Sequence, residues 1–198
     1  MKQASAKLFA VAIALLLLPI ASQATYIAST GDGLSVIVTS TANVIAKYKG
    51  NSAAYSNDLY LVGGGAGGSD LFIFNNHASA VGSTVDLGSF AIGTELIFRL
   101  HVNNTGYDYF TGPATRNPDS HVHARVQSSG LPSPEFAAGE SLVSFEDLYD
   151  GPFVFNDLGF SFTNTVADVP NRVPEPTTLG LLAAGLVGAT GRRYRKKA

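Results

Sequence analysis

Four carboxylates and an asparagine fall within 12 residues of this chain: Glu146, Asp147, Asp150, Asn156 and Asp157, grouped around Gly151. Hard oxygen donors clustered about a glycine turn suit Ca²⁺, which takes 6–8 oxygen ligands. Like charges this dense repel one another unless a cation or backbone N–H groups absorb the charge. The same residues also read as a solvated turn in which aspartates cap backbone groups. On a continuous strand, Glu146 and Asp147 would point to opposite faces, which disfavours a paired acid and base for hydrolysis.

Other constellations are thinner. His121-x-His123 would place two imidazoles on one side of a strand, and Asp119 and His101 could complete a metal site. Two histidines on a surface strand also commonly bind nothing. The run from Gly63 to Gly68 invites a phosphate-loop reading, but it lacks the Lys-Ser/Thr ending, and Asp70 puts a carboxylate where a phosphate would sit. A loop between strands is the simpler reading. There is no Gly-x-Ser-x-Gly elbow and no His-Glu-x-x-His. With no cysteine, the chain has no thiol nucleophile, zinc ribbon or disulfide scaffold. No catalytic residue and no certain cofactor is assigned, with Ca²⁺ the one candidate.

The elements that must position these residues read as β throughout. The 198-residue length predicts one domain. Residues 34–39, 44–48, 58–62, 71–74, 95–102, 121–126 and 158–162 are short apolar or alternating runs. Within 95–102, Leu96, Phe98, Leu100 and Val102 share a face. Gly- and Asn-rich turns bound the runs, including Gly50-Asn51-Ser52 and Asn103-Asn104-Thr105-Gly106. No long 3.6-residue periodicity interrupts residues 25–172. The expectation is an all-β body, an antiparallel β-sandwich or jelly roll, flanked by an N-terminal signal helix and a C-terminal transmembrane helix.

The ends differ in kind from the body. Lys2 and Lys7 lead into the uncharged residues 8–20, followed by Ser22-Gln23-Ala24. This describes a secretory signal peptide over residues 1–24, cut after Ala24. At the other end, Pro174-Glu175-Pro176 precedes the uncharged residues 177–191. Arg192, Arg193, Tyr194, Arg195, Lys196 and Lys197 follow. The prolines forbid regular helix across the junction, leaving it extended and open to an enzyme. Residues 177–191 as helix rise about 22 Å, short of the roughly 30 Å hydrocarbon core. Flanking Arg and Lys can snorkel to close part of the gap. The basic end belongs in the cytoplasm by the positive-inside rule, which leaves the body on the far side.

This three-part end resembles the PEP-CTERM sorting signal of Gram-negative bacteria. The matching parts are the motif at 174–176, the helix at 177–191 and the basic tail at 192–197, within a sorting segment of 173–198. The resemblance implies transient anchoring in the inner membrane and cleavage near Glu175 by an exosortase. Release or transfer toward the surface or an exopolysaccharide matrix would follow. An ordinary tail anchor behind a proline linker is the alternative. Export would further require the Sec translocon and signal peptidase as partners.

What is delivered is the body, residues 25–172, with six basic and fourteen acidic residues and a net charge near −8. That balance argues against nucleic acid as a partner, which demands basic surface. Residues 93–162 resemble an uncharacterised exported bacterial domain marked by Phe145-Glu146-Asp147-Leu148 and then Asn156-Asp157-Leu158-x-Phe160. In that family the loop between the two halves carries further aspartates; here Phe153-Val154-Phe155 stands in their place. The expected function is that of a non-catalytic surface or extracellular-matrix protein, exopolysaccharide-associated, with a weak Ca²⁺ site. An extracellular polysaccharide hydrolase or carbohydrate-binding module is the alternative. Absence of Trp disfavours sugar stacking, while 8 Tyr and 12 Phe still permit it. Neutralising Arg192, Arg193, Arg195, Lys196 and Lys197 together is expected to disturb orientation and processing, seen in the mass and location of the mature body. An unchanged mass and location contradicts the sorting assignment.

Overall fold

The computed structural model describes residues 26–168. Twelve strands form three antiparallel sheets: β1 (Ser35–Val38), β2 (Ile45–Asn51), β3 (Asn57–Leu61), β4 (Leu71–Asn75), β5 (Thr84–Asp86), β6 (Glu95–Leu96), β7 (Phe98–Val102), β8 (Asp108–Phe110), β9 (Ala124–Gln127), β10 (Ser141–Phe145), β11 (Leu158–Phe162) and β12 (Thr165–Asp168). The five-stranded sheet runs β5-β2-β11-β10-β9, the four-stranded sheet β4-β3-β7-β8, and the three-stranded sheet β12-β1-β6. Helix is confined to two short 3₁₀ turns among the described residues, and no helix there is long and apolar enough to cross a membrane. The expected signal and C-terminal helices lie outside the described residues.

All three sheets bury side chains in one core, the arrangement expected of a sandwich. β3 and β7 alternate strictly, with Leu59, Leu61, Phe98, Leu100 and Val102 inward. This is the signature of an antiparallel sheet with one dry face. The two larger sheets meet through aromatic rings. Phe98 of β7 stacks on Phe162 of β11 at 4.0 Å between centroids, and Phe74 of β4 on Phe160 of β11 at 6.0 Å. Such pairs add roughly 0.5–1.5 kcal/mol beyond their burial.

Three boundaries depart from the sequence expectation. The run 95–102 is two strands, because the chain changes sheets at Ile97. β6 pairs with β1, while β7 pairs with β3 and β8. β2 continues through Gly50-Asn51, expected as a turn, because β11 pairs alongside it. His121 and His123 precede β9 instead of lying on it.

β10 and β11 are buried on both faces, so neither shows alternation against water. The outward faces of Leu142 and Ser144 are covered by the segment after Tyr26 and by the 131–140 loop. Ala28, Phe136 and Leu142 form a small second cluster, and the Ala28 N–H donates to Ser144 Oγ at 2.8 Å. A Cβ on Gly159 would lie 2.6 Å from the Tyr26 carbonyl oxygen, so glycine there lets the covering segment lie close.

Phe162→Ala is expected to cost about 3–5 kcal/mol through the cavity left between the sheets. Urea unfolding of the exported body checks this, and a loss under about 1 kcal/mol would contradict the assigned core.

Candidate functional site

The pairing of Phe145 with both Leu158 and Ala124 fixes one end of the five-stranded sheet. β10 stops at Phe145, so Glu146 and Asp147 lie beyond the strand and are free of its alternation. The opposite facing expected on a continuous strand therefore does not apply to them. With Asp157, just ahead of β11, each offers an oxygen, and the three oxygens lie within 4.8 Å of one another. Among the described residues this is the one group of three or more His, Cys, Asp or Glu placed to share a metal ion.

The triad is knitted into the fold. The Asp147 N–H donates to Asp157 Oδ2 at 2.9 Å, and the Val154 N–H to Glu146 Oε2 at 3.1 Å. Asn57, at the start of β3, donates from Nδ2 to Asp147 Oδ2 at 2.7 Å, tying the four-stranded sheet to the site. Asn57 is fully buried, and its Oδ1 has no hydrogen-bond partner. A buried amide oxygen without a partner costs about 1–3 kcal/mol and is unusual in a folded protein. The Tyr109 hydroxyl is likewise buried and without a partner. Burial, with the charges of Asp119, Tyr107, Asp147 and Glu146, drives its pKa well up.

Burial pushes the Glu146 carboxyl up to about 7, and the Asp157 charge adds to the shift. Burial also raises Asp147 to about 6; the Asn57 hydrogen bond opposes this and Asp157 supports it. Glu146 is 1% exposed and Asp147 4%. A cleft of about 360 Å³ reaches the site past Ser52, Ala54, Tyr55 and Leu148, with Asp147 and Asp157 in its wall.

Two expected ligands stand apart from this group. The side chain of Asp150 is 67% exposed and lies 3.8 Å from His121 Nε2, and the residue turns the chain with φ 59°. Asn156 engages through its backbone carbonyl, which accepts the Ser52 hydroxyl at 2.7 Å and the Ser52 N–H at 3.2 Å. The histidine constellation is dispersed as well. His101 contacts Asp108, and His121 contacts Asp150. Only the side chains of His123 and Asp119 come together, with Nε2 2.7 Å from Asp119 Oδ2 and Nδ1 3.0 Å from the Glu146 carbonyl. The His123 ring stacks on Tyr109 at 3.8 Å. Burial pushes the Asp119 carboxyl up, but the Asp150 N–H, the His123 ring and the His121 N–H together hold it below the usual range. This pair braces the wall of the acidic site. The glycine-rich run lies between β3 and β4, where the Gly63 N–H donates to Asp70 Oδ1 at 3.0 Å and Asp70 also holds Arg99 at 2.8 Å.

Residues 172–196 match the family described as the PEP-CTERM protein-sorting motif. That motif supports an exported protein with an exosortase as its processing partner. Its residues Pro174, Glu175, Pro176, Arg192, Arg193 and Arg195 lie outside the described residues. No curated protein and no solved structure matches the chain.

In metal-free protein, Glu146 and Asp147 keep protons that the unfolded chain has released from about pH 4 upward. Their contribution to stability is therefore present below about pH 4 and is lost as pH rises toward 7. Glu146→Gln removes one of these titrations. In chelator, the variant is expected to gain stability relative to wild type between pH 4 and pH 7.5, measured by denaturant unfolding. A difference independent of pH contradicts the raised carboxyl.

Proposed function

We propose that the body is a non-catalytic surface or matrix component, exopolysaccharide-associated, whose fold is locked by Ca²⁺ at Glu146, Asp147 and Asp157. The observation that carries this reading is the convergence of three carboxylate oxygens, with the buried Asn57 amide bonded to one of those carboxylates. Ca²⁺ binds oxygen at 2.3–2.6 Å, so two ligands on opposite sides of it stand about 5 Å apart. Mg²⁺, at 2.0–2.1 Å, needs about 4.2 Å. Oxygens all within 4.8 Å of one another can share one such ion, and a cleft that admits more than six ligands with irregular geometry suits Ca²⁺. Glu146, Asp147 and Asp157 would each give an oxygen, and a turned Asn57 amide a fourth. Waters in the cleft would complete the shell. The ion would replace the protons that the crowded carboxyls otherwise retain, and would join the end of the β10–β11 hairpin to β3.

The burial of Glu146 and Asp147 favours this role over hydrolysis, because an acid and base must reach the bond they cleave. A sorting signal that sends the body outward also suits a weak site, since extracellular modules bind Ca²⁺ at roughly 10⁻⁴–10⁻³ M.

Ca²⁺ at about 100 times its Kd is expected to raise the Tm of the exported protein by about 5–10 °C at pH 7.5. EGTA should reverse the rise, and Asp157→Asn should abolish it. Equal Tm in Ca²⁺ and EGTA contradicts the site. Release of reducing ends from polysaccharide, lost in Glu146→Ala, contradicts the non-catalytic role.

A further inference from the structure

Lys47 and Lys49 stand two residues apart on β2, Lys49 at the bulge opposite Gly159 and Phe160, and both line one cavity on the five-stranded sheet. A cavity of about 360 Å³ opens there, lined by Tyr26, Lys47, Lys49, Val81, Gly82 and Glu135. The charges in it differ from those elsewhere. Each arginine among the described residues is neutralised: Arg99 by Asp70 and Asp108, Arg116 by Glu95, and Arg125 by Asp32. These two lysines, the only ones among the described residues, have no carboxylate oxygen within 4 Å there, although Glu135 lines the cavity and the charges of Glu135 and Glu140 act on Lys49.

Lys49 is 5% exposed. Its ammonium donates to the Glu135 carbonyl at 2.8 Å and sits 3.9 Å from the centre of the Phe136 ring. It also lies 5.7 Å from the centre of the Tyr26 ring, and an ammonium has three protons, of which the carbonyl takes one. Burial, and then the charge of Lys47, lowers the Lys49 pKa, while Glu140 and Glu135 oppose this. An anion between the lysines would relieve both effects. Beside them, the Tyr26 ring is held edge-on by Phe136 at 5.2 Å, and Val81 is exposed.

We propose that this cavity binds a uronate residue of an acidic polysaccharide, with Lys47 and Lys49 holding the carboxylate and Tyr26 and Val81 meeting the sugar ring. Two ammonium point charges suit a single anion. The aromatic and aliphatic walls suit the apolar face of a pyranose, which phosphate or an acidic peptide would leave unused. The acidic remainder of the body repels a polyanion elsewhere, which favours contact at this cavity over the acidic cleft. The inference names the partner for the matrix association proposed above and rests on that reading, but it does not involve the Ca²⁺ site.

The test is titration calorimetry of the exported protein with oligogalacturonate in EDTA, where no cation can bridge. Neutral galactose oligomers, oligoglutamate and inorganic phosphate serve as the other arms. Oligogalacturonate alone is expected to bind. Lys47→Gln, on a half-buried side chain, should weaken it about tenfold or more, and Lys47→Arg should restore it. Tyr26→Ala should weaken it as well. Equal binding by wild type and Lys47→Gln overturns the proposal, as does equal affinity for oligoglutamate or phosphate, or no binding of oligogalacturonate. Retention of the Ca²⁺-dependent Tm rise in Lys47→Gln separates failure here from failure of the Ca²⁺ site.

Discussion

Strand pairing holds Glu146, Asp147 and Asp157 in a volume that their charges oppose. Phe145 pairs with Leu158 on one side and Ala124 on the other, and the buried rings of Phe145 and Phe160 anchor that register. Sliding β10 against β11 would relieve the carboxylates but expose those rings, so the core dictates the site. The carboxyls respond in the only ways open to them: they keep protons at pH values where free acids have lost them, or they take up a cation. Asn57 carries the same constraint into the second large sheet, and His123 with Asp119 carries it into the approach to β9.

How much of this was legible in the sequence depended on how far apart the cooperating residues lie. The acidic cluster and the turn around Gly151 are local and stand out. Which members converge does not, because that depends on where β10 ends. Asp150 falls on the exposed turn, and Asn156 is used through its backbone. Asn57 lies 90 residues before its partner Asp147 and has no spacing signal at all. β10 escaped notice because Ser141 and Ser144 look solvent-facing, yet both are buried, Ser144 accepting a hydrogen bond from Ala28. Lys47 and Lys49 carry no such signal, because the apolar run ends at Tyr48 and only the observed pairing with β11 extends β2 through Lys49. The sorting signals, by contrast, are linear patterns that need no tertiary contact, and the 172–196 match agrees with the residues read directly.

Address and cargo make consistent physical demands. A body delivered outward would meet Ca²⁺ at concentrations that the proposed weak oxygen site could use, and the crowded carboxyls would then stabilise the fold only after export. A strongly acidic surface with one cationic hollow can stay soluble and still select an anionic partner.

The chain has no tryptophan and places Tyr109 beside the triad, which makes tyrosine-sensitised terbium luminescence a direct probe of the site. Stoichiometric Tb³⁺ should give emission on tyrosine excitation that Ca²⁺ displaces and that Tyr109→Phe diminishes. No sensitised emission from wild type, or emission that Ca²⁺ leaves unchanged, would contradict a cation at Glu146, Asp147 and Asp157.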